Sequence, residues 1–214
     1  MTPKSSSSPS EPNVSSRLVP EMDWSLTVGT EAGALECHPL TPDRFGDMEA
    51  VMGERGVAQK CFCMHWRRPD GGYQDQSSNR DRFRALTNQG PVPGLLGYVD
   101  GVPVGWVQVG SRELFPTIAR SRLLKPVDDI ATWSINCFVV RTGHRRQGIG
   151  TGLLAAAIEF ARSRGAKVIE AYPVDGARAS VVDLFTGTLG MFEEHGFAEI
   201  IRRSHDRPIV RLQI

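Results

Sequence analysis

The stretch from Ala131 to Gly165 constrains the fold most, because a strand pattern, a glycine loop and a helix pattern follow one another without a gap. Ala131 to Val140 reads ATWSINCFVV, rich in aromatic and β-branched residues, and predicts a central strand. From about Gly148 to Arg164 the apolar residues Ile149, Leu153, Leu154, Ala157, Ile158 and Ala161 share one helical face, and Gly165 is placed to end that helix. Between them lies Arg141-Thr142-Gly143-His144-Arg145-Arg146-Gln147-Gly148-Ile149-Gly150-Thr151. The first amides of a helix have no acceptor within it, and the aligned peptide dipoles add partial positive charge there. Gly148 and Gly150 let an anion approach the backbone, and Arg145 and Arg146 offer charge-assisted bonds. Together these predict a site for a phosphate or diphosphate.

The flanking sequence alternates strands and helices and predicts a mixed α/β sheet. Ala34 to Leu40 forms a short strand pattern, and Thr41-Pro42-Asp43 opens a helix that runs to about Gly53. A second helix is expected over Asn79 to Thr87. Leu95–Val99, Asp100-Gly101 and Val102–Val109 make the clearest hairpin, since Asp-Gly suits a two-residue turn. Residues 111 to 130, broken by Pro116 and Pro126, predict an irregular excursion with a short helix. Lys167–Tyr172 is a further strand, Leu184–His195 a short helix, and 197–203 and 208–214 are closing strands. Residues 1 to about 30, rich in Ser and Pro, are expected to be a disordered tail, leaving one domain over 34–214.

Composition narrows the function classes. With Lys+Arg 25 against Asp+Glu 24, the net charge of +1 provides no overall field to draw nucleic acid or a membrane surface, so an anion site has to be local. No run of 18 apolar residues occurs. The start of the sequence lacks the apolar stretch of a secretory signal, and four cysteines are too few for a disulfide scaffold; a cytoplasmic protein with reduced thiols is expected.

Two common phosphate loops fit poorly. No Gly-Lys-Ser/Thr follows the glycines, and Gly148-Ile149-Gly150-Thr151-Gly152 places its third glycine one position early for a dinucleotide fingerprint. Arg145 to Gly150 instead resembles the Q/R-x-x-G-x-G/A signature of the GNAT N-acetyltransferases. The surroundings resemble that family too, with a strand before, an amphipathic helix after, and Phe192-Glu193-Glu194-His195-Gly196-Phe197 where the family carries a Tyr-containing Gly-Phe stretch. The likeness runs from about Ala34 to Ile214 and is strongest over residues 131 to 197. It implies an α/β GNAT fold, a mixed central sheet splayed at a bulge with flanking helices. It also implies acetyl-CoA as cosubstrate and an amine of a small molecule or peptide as acceptor. By the same resemblance Phe138, Val139 and Val140 supply strand contacts to the pantetheine arm, while Arg145, Arg146, Gln147, Gly148, Ile149, Gly150 and Thr151 hold the diphosphate. Dimers are common in the family, so a homodimer is compatible with the resemblance. A non-catalytic acyl-CoA-binding or regulatory module is the alternative.

The family mechanism needs a base for the ammonium, a backbone N–H for the thioester carbonyl and an acid for the departing thiolate. Phe192 stands where the family commonly has its acidic Tyr, so that acid is missing; Tyr172 is the substitute, or else an edge aromatic. Glu170, a carboxylate inside a strand, is either a base or half of an ion pair. Ser134 and Asn136 either position water or substrate, or are satisfied polar groups at a bulge. Cys61-Phe62-Cys63-Met64-His65-Trp66 lacks the paired spacing of structural zinc sites, so no metal is expected and Trp66 is assigned to the acceptor pocket.

Overall fold

The computed structural model describes residues 23–68, 76–176 and 183–214. Eight strands form one sheet in the order β1-β2-β3-β4-β5-β6-β8-β7, and all neighbours are antiparallel except β5 and β6. The strands are β1 Leu26–Thr30, β2 Gly33–Pro39, β3 Gly94–Val99, β4 Val102–Ser111, β5 Trp133–Val140, β6 Val168–Ala171, β7 Ala198–Arg202 and β8 Pro208–Gln213. The helices are α1 Phe45–Met52, α2 Val57–Cys61, α3 Gln76–Gln89, α4 Pro116–Arg120, α5 Ile149–Ser163 and α6 Leu189–Glu193. Helix α5 supplies the crossover that a parallel β5–β6 pair requires.

Apolar side chains divide the sheet into two buried faces. Ile135, Phe138, Ile169 and Ala171 face α5, whose Leu153, Leu154, Ala157 and Ala161 complete that core. Trp106, Cys137 and Tyr172 face the opposite layer, with Phe45, Met48, Trp66 and Phe83. Ile135 and Phe138 lie three residues apart on β5 and yet share a face, which strict alternation forbids. The register explains it: Gln108 of β4 pairs with Cys137 and Val109 with Ile135, so Asn136 is an extra residue, a β-bulge that resets the alternation.

One expectation needs correction. The segment given to a disordered tail contains β1, which pairs with β2 from Leu26↔Cys37 to Thr30↔Gly33. Leu26 and Val28 alternate with exposed neighbours, and Trp24 sets its ring edge-on to Phe160 at 5.2 Å. A thin but regular alternation suffices once a partner strand and a helix cover it, and overall Ser/Pro content concealed it. Residues 1–22 lie outside the described part. The Leu184–His195 helix is also interrupted. Asp183–Thr186 is a 3-10 turn, Gly187 takes φ +81°, and α6 starts after it. The Asp100-Gly101 turn forms as expected, both residues having positive φ.

Helix α5 approaches the sheet closely because β3 and β4 present no Cβ beneath it. A Cβ on Gly105 would lie 2.8 Å from Leu153 Cδ1 and 3.0 Å from Ile149 Cγ2. Gly105→Val is therefore expected to overpack this face and lower stability by roughly 1–3 kcal/mol, read from urea denaturation. Stability equal to that of the parent chain would show that the helix is free to shift outward.

Candidate functional site

The sheet opens at the bulge around Asn136. Strand β5 pairs with β6 only from Trp133↔Ile169 to Ile135↔Ala171, whereas its ladder with β4 continues to Gly105↔Val140. Beyond Ile135, therefore, one side of β5 keeps its neighbour and the other loses it, because β6 ends at Ala171 and the chain turns away at Pro173. A buried strand edge leaves amides and carbonyls to be satisfied by something that is not β6. Phe138, Val139 and Val140 line a cleft of about 1420 Å³ there, while the Phe138 ring packs against Phe192 at 6.1 Å.

The same cleft reaches the start of α5, with Arg145, Arg146, Gly148, Ile149, Gly150 and Thr151 in its wall. Gly148 precedes the helix at φ +78°, and among the described residues no side chain caps this end. The turn between β1 and β2 supports the loop from behind, where Ala32 N–H donates to the Gln147 carbonyl at 3.3 Å. The Gln147 amide donates to the Gly143 carbonyl at 3.1 Å, and Gln147 is not in the cleft wall. Its side chain shapes the loop. Ile149 packs in the core and also borders the cleft. The two glycines of the signature do different work. Gly148 adopts a backbone that L side chains avoid, whereas a Cβ on Gly150 would meet only Met191 Sδ at 3.9 Å and so would project into open space. Arg145 reaches back to the Val140 carbonyl at 3.1 Å, holding its guanidinium along the opening. The residues therefore fit an elongated molecule with a diphosphate at the helix end and a hydrogen-bonding arm along β5.

A family comparison matches residues 60–197 to the model described as the acetyltransferase (GNAT) family. The chain belongs to that family. Its fold is likewise that of solved GNAT structures. The GNAT domain of PAT from S. lividans matches with a TM-score of 0.56 at 16% identity, over 89% of this chain and 97% of that one. An N-acetyltransferase from Staphylococcus aureus Mu50 gives 0.51 at 13% identity, over 84% and 98%. An uncharacterized Bacillus halodurans protein, bh2621, gives 0.56 at 14%, over 88% and 90%. No curated protein matches the chain by sequence. Acetyl transfer is the family's activity, which makes this GNAT protein an acyltransferase.

The residues expected to do chemistry lie at the head of the opening. Tyr172 is 1% exposed, lines the cleft and donates its hydroxyl to Glu170 Oε1 at 2.7 Å. Burial, reinforced by the Glu170 charge, raises its pKa well above the ordinary value, so the phenol keeps its proton. Glu170 is fully buried and absent from the cleft wall. Its other oxygen accepts from Arg211 Nε at 2.9 Å, and the Arg211 guanidinium also forks onto Asp128 at 2.6 and 3.0 Å. A carboxylate held by a guanidinium and a phenol is poorly placed to take a proton from an amine; the ion-pair reading of Glu170 is the one the geometry favours. Ser134 is buried beside it, and its hydroxyl accepts from the Asn136 amide at 3.3 Å. Phe192 is wholly buried against Phe138 and Phe197, so a replacement acid has to come from elsewhere.

Two aromatic side chains complete the far wall. Trp66 Nε1 donates to the carbonyl of Asn136 at 2.8 Å, clamping the indole onto the bulge itself. Phe185 stands 6.0 Å from Trp66 and tilts 37° to it. Cys63 and Cys137 meet nearby with sulfurs 3.4 Å apart. Among the described residues no group of three or more His, Cys, Asp or Glu is arranged to hold a metal. Sequence reasoning assigned Trp66 to the acceptor side; Phe185 and His65 carried no such signal, since their roles come from the approach of two segments far apart in the chain.

Arg211→Leu is expected to leave the Glu170 carboxylate with only Tyr172 and the Arg112 guanidinium, 3.7 Å away, and to lower stability by up to roughly 3–5 kcal/mol, with part of the loss recovered on adding Glu170→Leu. Chemical denaturation of the two variants checks this. A double variant as unstable as the single one would contradict the ion-pair account.

Proposed function

We propose that this GNAT protein transfers the acetyl group of acetyl-CoA to the amine of a small molecule or peptide. The single observation that carries the reading is the coincidence, in one cleft, of the unpaired β5 edge after Asn136 with the uncapped start of α5. Arg145, Arg146 and the amides from Gly148 to Thr151 would hold the diphosphate. The backbone of Phe138, Val139 and Val140 would pair with the pantetheine arm as a replacement for the missing β6, and a backbone N–H next to the bulge would polarise the thioester carbonyl. When bound, acetyl-CoA supplies an activated acyl group; the chain aligns it and moves protons around it.

Tyr172 replaces the usual acid. Its retained proton and its place at the head of the opening suit donation to the departing sulfur after rotation about the C–O bond. Glu170, Arg211 and Ser134 position the phenol without touching substrate. A free thiol with a pKa near 8.5 makes a tolerable leaving group, so the demand on this acid is modest. The free cysteines support a reducing, cytoplasmic setting. Among the described residues no helix is long and apolar enough to cross a membrane. A homodimer is compatible with this reading, and sedimentation decides it.

Two substitutions test the proposal. Gly150→Val places a Cβ whose nearest neighbour beyond the local backbone is Met191 Sδ at 3.9 Å. It should leave the fold intact yet weaken CoA binding about tenfold or more, a loss of at least ~1.4 kcal/mol by calorimetry. Undiminished affinity would move the diphosphate elsewhere. Tyr172→Phe should lower kcat by about tenfold to 100-fold with CoA affinity unchanged; an unaltered kcat would remove Tyr172 from the proton path.

A further inference from the structure

The cleft contains one more group that the acetyl-transfer reading leaves without a task. His65 lies between Cys63, which touches Cys137, and Trp66, which is clamped to the bulge carbonyl. Its ring stands edge-on to Trp66 with centroids 4.5 Å apart and edge-on to Phe185 at 6.0 Å. The imidazole is therefore held one ring away from the point where the sheet opens, with an exposed edge in the cleft. Among the described residues its ring nitrogens have no hydrogen-bond or ion-pair partner, so packing alone fixes the ring.

Resting on the acetyl-transfer reading, we propose that His65 is the proton acceptor of the reaction and that Trp66 and Phe185 seat the acceptor's ammonium group in front of it. Trp and Phe faces attract an organic cation, more strongly when water is excluded. Glu54 is the one carboxylate among the described residues of the cleft wall, and it is exposed, whereas Glu170 is buried and committed to Arg211 and Tyr172. His144 also lines the cleft but belongs to the diphosphate loop, away from the bulge. The acceptor class is thus an amine that arrives protonated, with its carbon skeleton against aromatic rings.

The proton account balances. The His65 imidazole takes one N–H proton from the ammonium, freeing the nitrogen lone pair to form the N–C bond. Tyr172 supplies a proton to the sulfur as the C–S bond breaks, and the second N–H proton restores the phenol. The imidazolium then releases its proton to solvent.

Burial against Trp66 and Phe185 lowers the His65 pKa below the ordinary 6.5, so the ring is neutral at pH 7 and ready to accept. Among the described residues, the titratable and charged groups of the cleft wall are Cys61 and Cys63 on its own segment, Cys137 on β5, Tyr172 after β6, Arg207 before β8, Glu54 and Arg55 ahead of α2, and Arg141, His144, Arg145 and Arg146 on the diphosphate loop. The shift comes from burial.

NMR titration of the full chain, with the His65 signal assigned by its loss in His65→Gln, should give a midpoint below 6.5. Thiol release from acetyl-CoA is then followed with 2-phenylethylamine, tyramine, spermidine and a lysine peptide as probes. The expected kcat/KM falls in acid at that same midpoint. His65→Gln should lower kcat about 100-fold and abolish the acid limb, with CoA affinity unchanged in calorimetry. Phe185→Leu should raise KM for the amine and keep the limb. A His65→Gln profile matching that of the native chain, or no transfer to any probe although CoA binds, overturns the inference. Failure of the native chain to bind CoA overturns the underlying cofactor reading instead.

Discussion

The structure depends on one extra residue in β5. At Asn136 the strand falls out of step with β4, and this residue directly follows the last one paired with β6. The ladder to β6 stops at Ile135, where β6 itself ends at Ala171, while the ladder to β4 continues. The bulge is stabilised from within its own neighbourhood, since Trp66 takes the Asn136 carbonyl and Ser134 takes its amide. A backbone carbonyl left without a partner in such a buried place costs on the order of 1–3 kcal/mol, so this indole bond matters to the fold as well as to the cleft.

Everything at the site is registered to that opening. Helix α5 leaves the same strand after a tight loop, and the glycines of β3 and β4 let it lie close to the sheet, so its uncapped end meets the exposed strand edge. The β1–β2 turn supports the loop through the Gln147 carbonyl. On the other face, Trp66 is fixed relative to the bulge through the Asn136 carbonyl. The two halves of the proposed reaction, anion capture and proton transfer, would thus be measured from a single residue.

The buried charges show why strand position alone does not identify a catalytic group. A carboxylate in β6 is unusual, and that much Glu170 displayed in the sequence. Its function turns on Arg211, which lies 41 residues later and reaches it across the β6–β8 ladder. With Tyr172 on one oxygen and Arg211 on the other, the group is satisfied, and its worth lies in holding a phenol steady.

Local chemistry made much of this legible. Strand, glycine loop and helix around residues 131–165 follow from β-branching, the apolar helical face and the shape of a helix start, all short-range properties. The Asp100-Gly101 hairpin followed in the same way. The sequence alone also determined that the usual acid position holds Phe192. What only the tertiary structure decided involves partners distant along the chain. Strand β1 is stable because β2 and α5 cover its two apolar residues, a fact absent from the composition of the first 30 positions. The bulge at Asn136 is a matter of register against β4, which no single strand encodes. His65 became a candidate base because folding brought Trp66 and Phe185 around it and left its nitrogens without a partner among the described residues; pKa and access are properties of surroundings, and surroundings are set by packing.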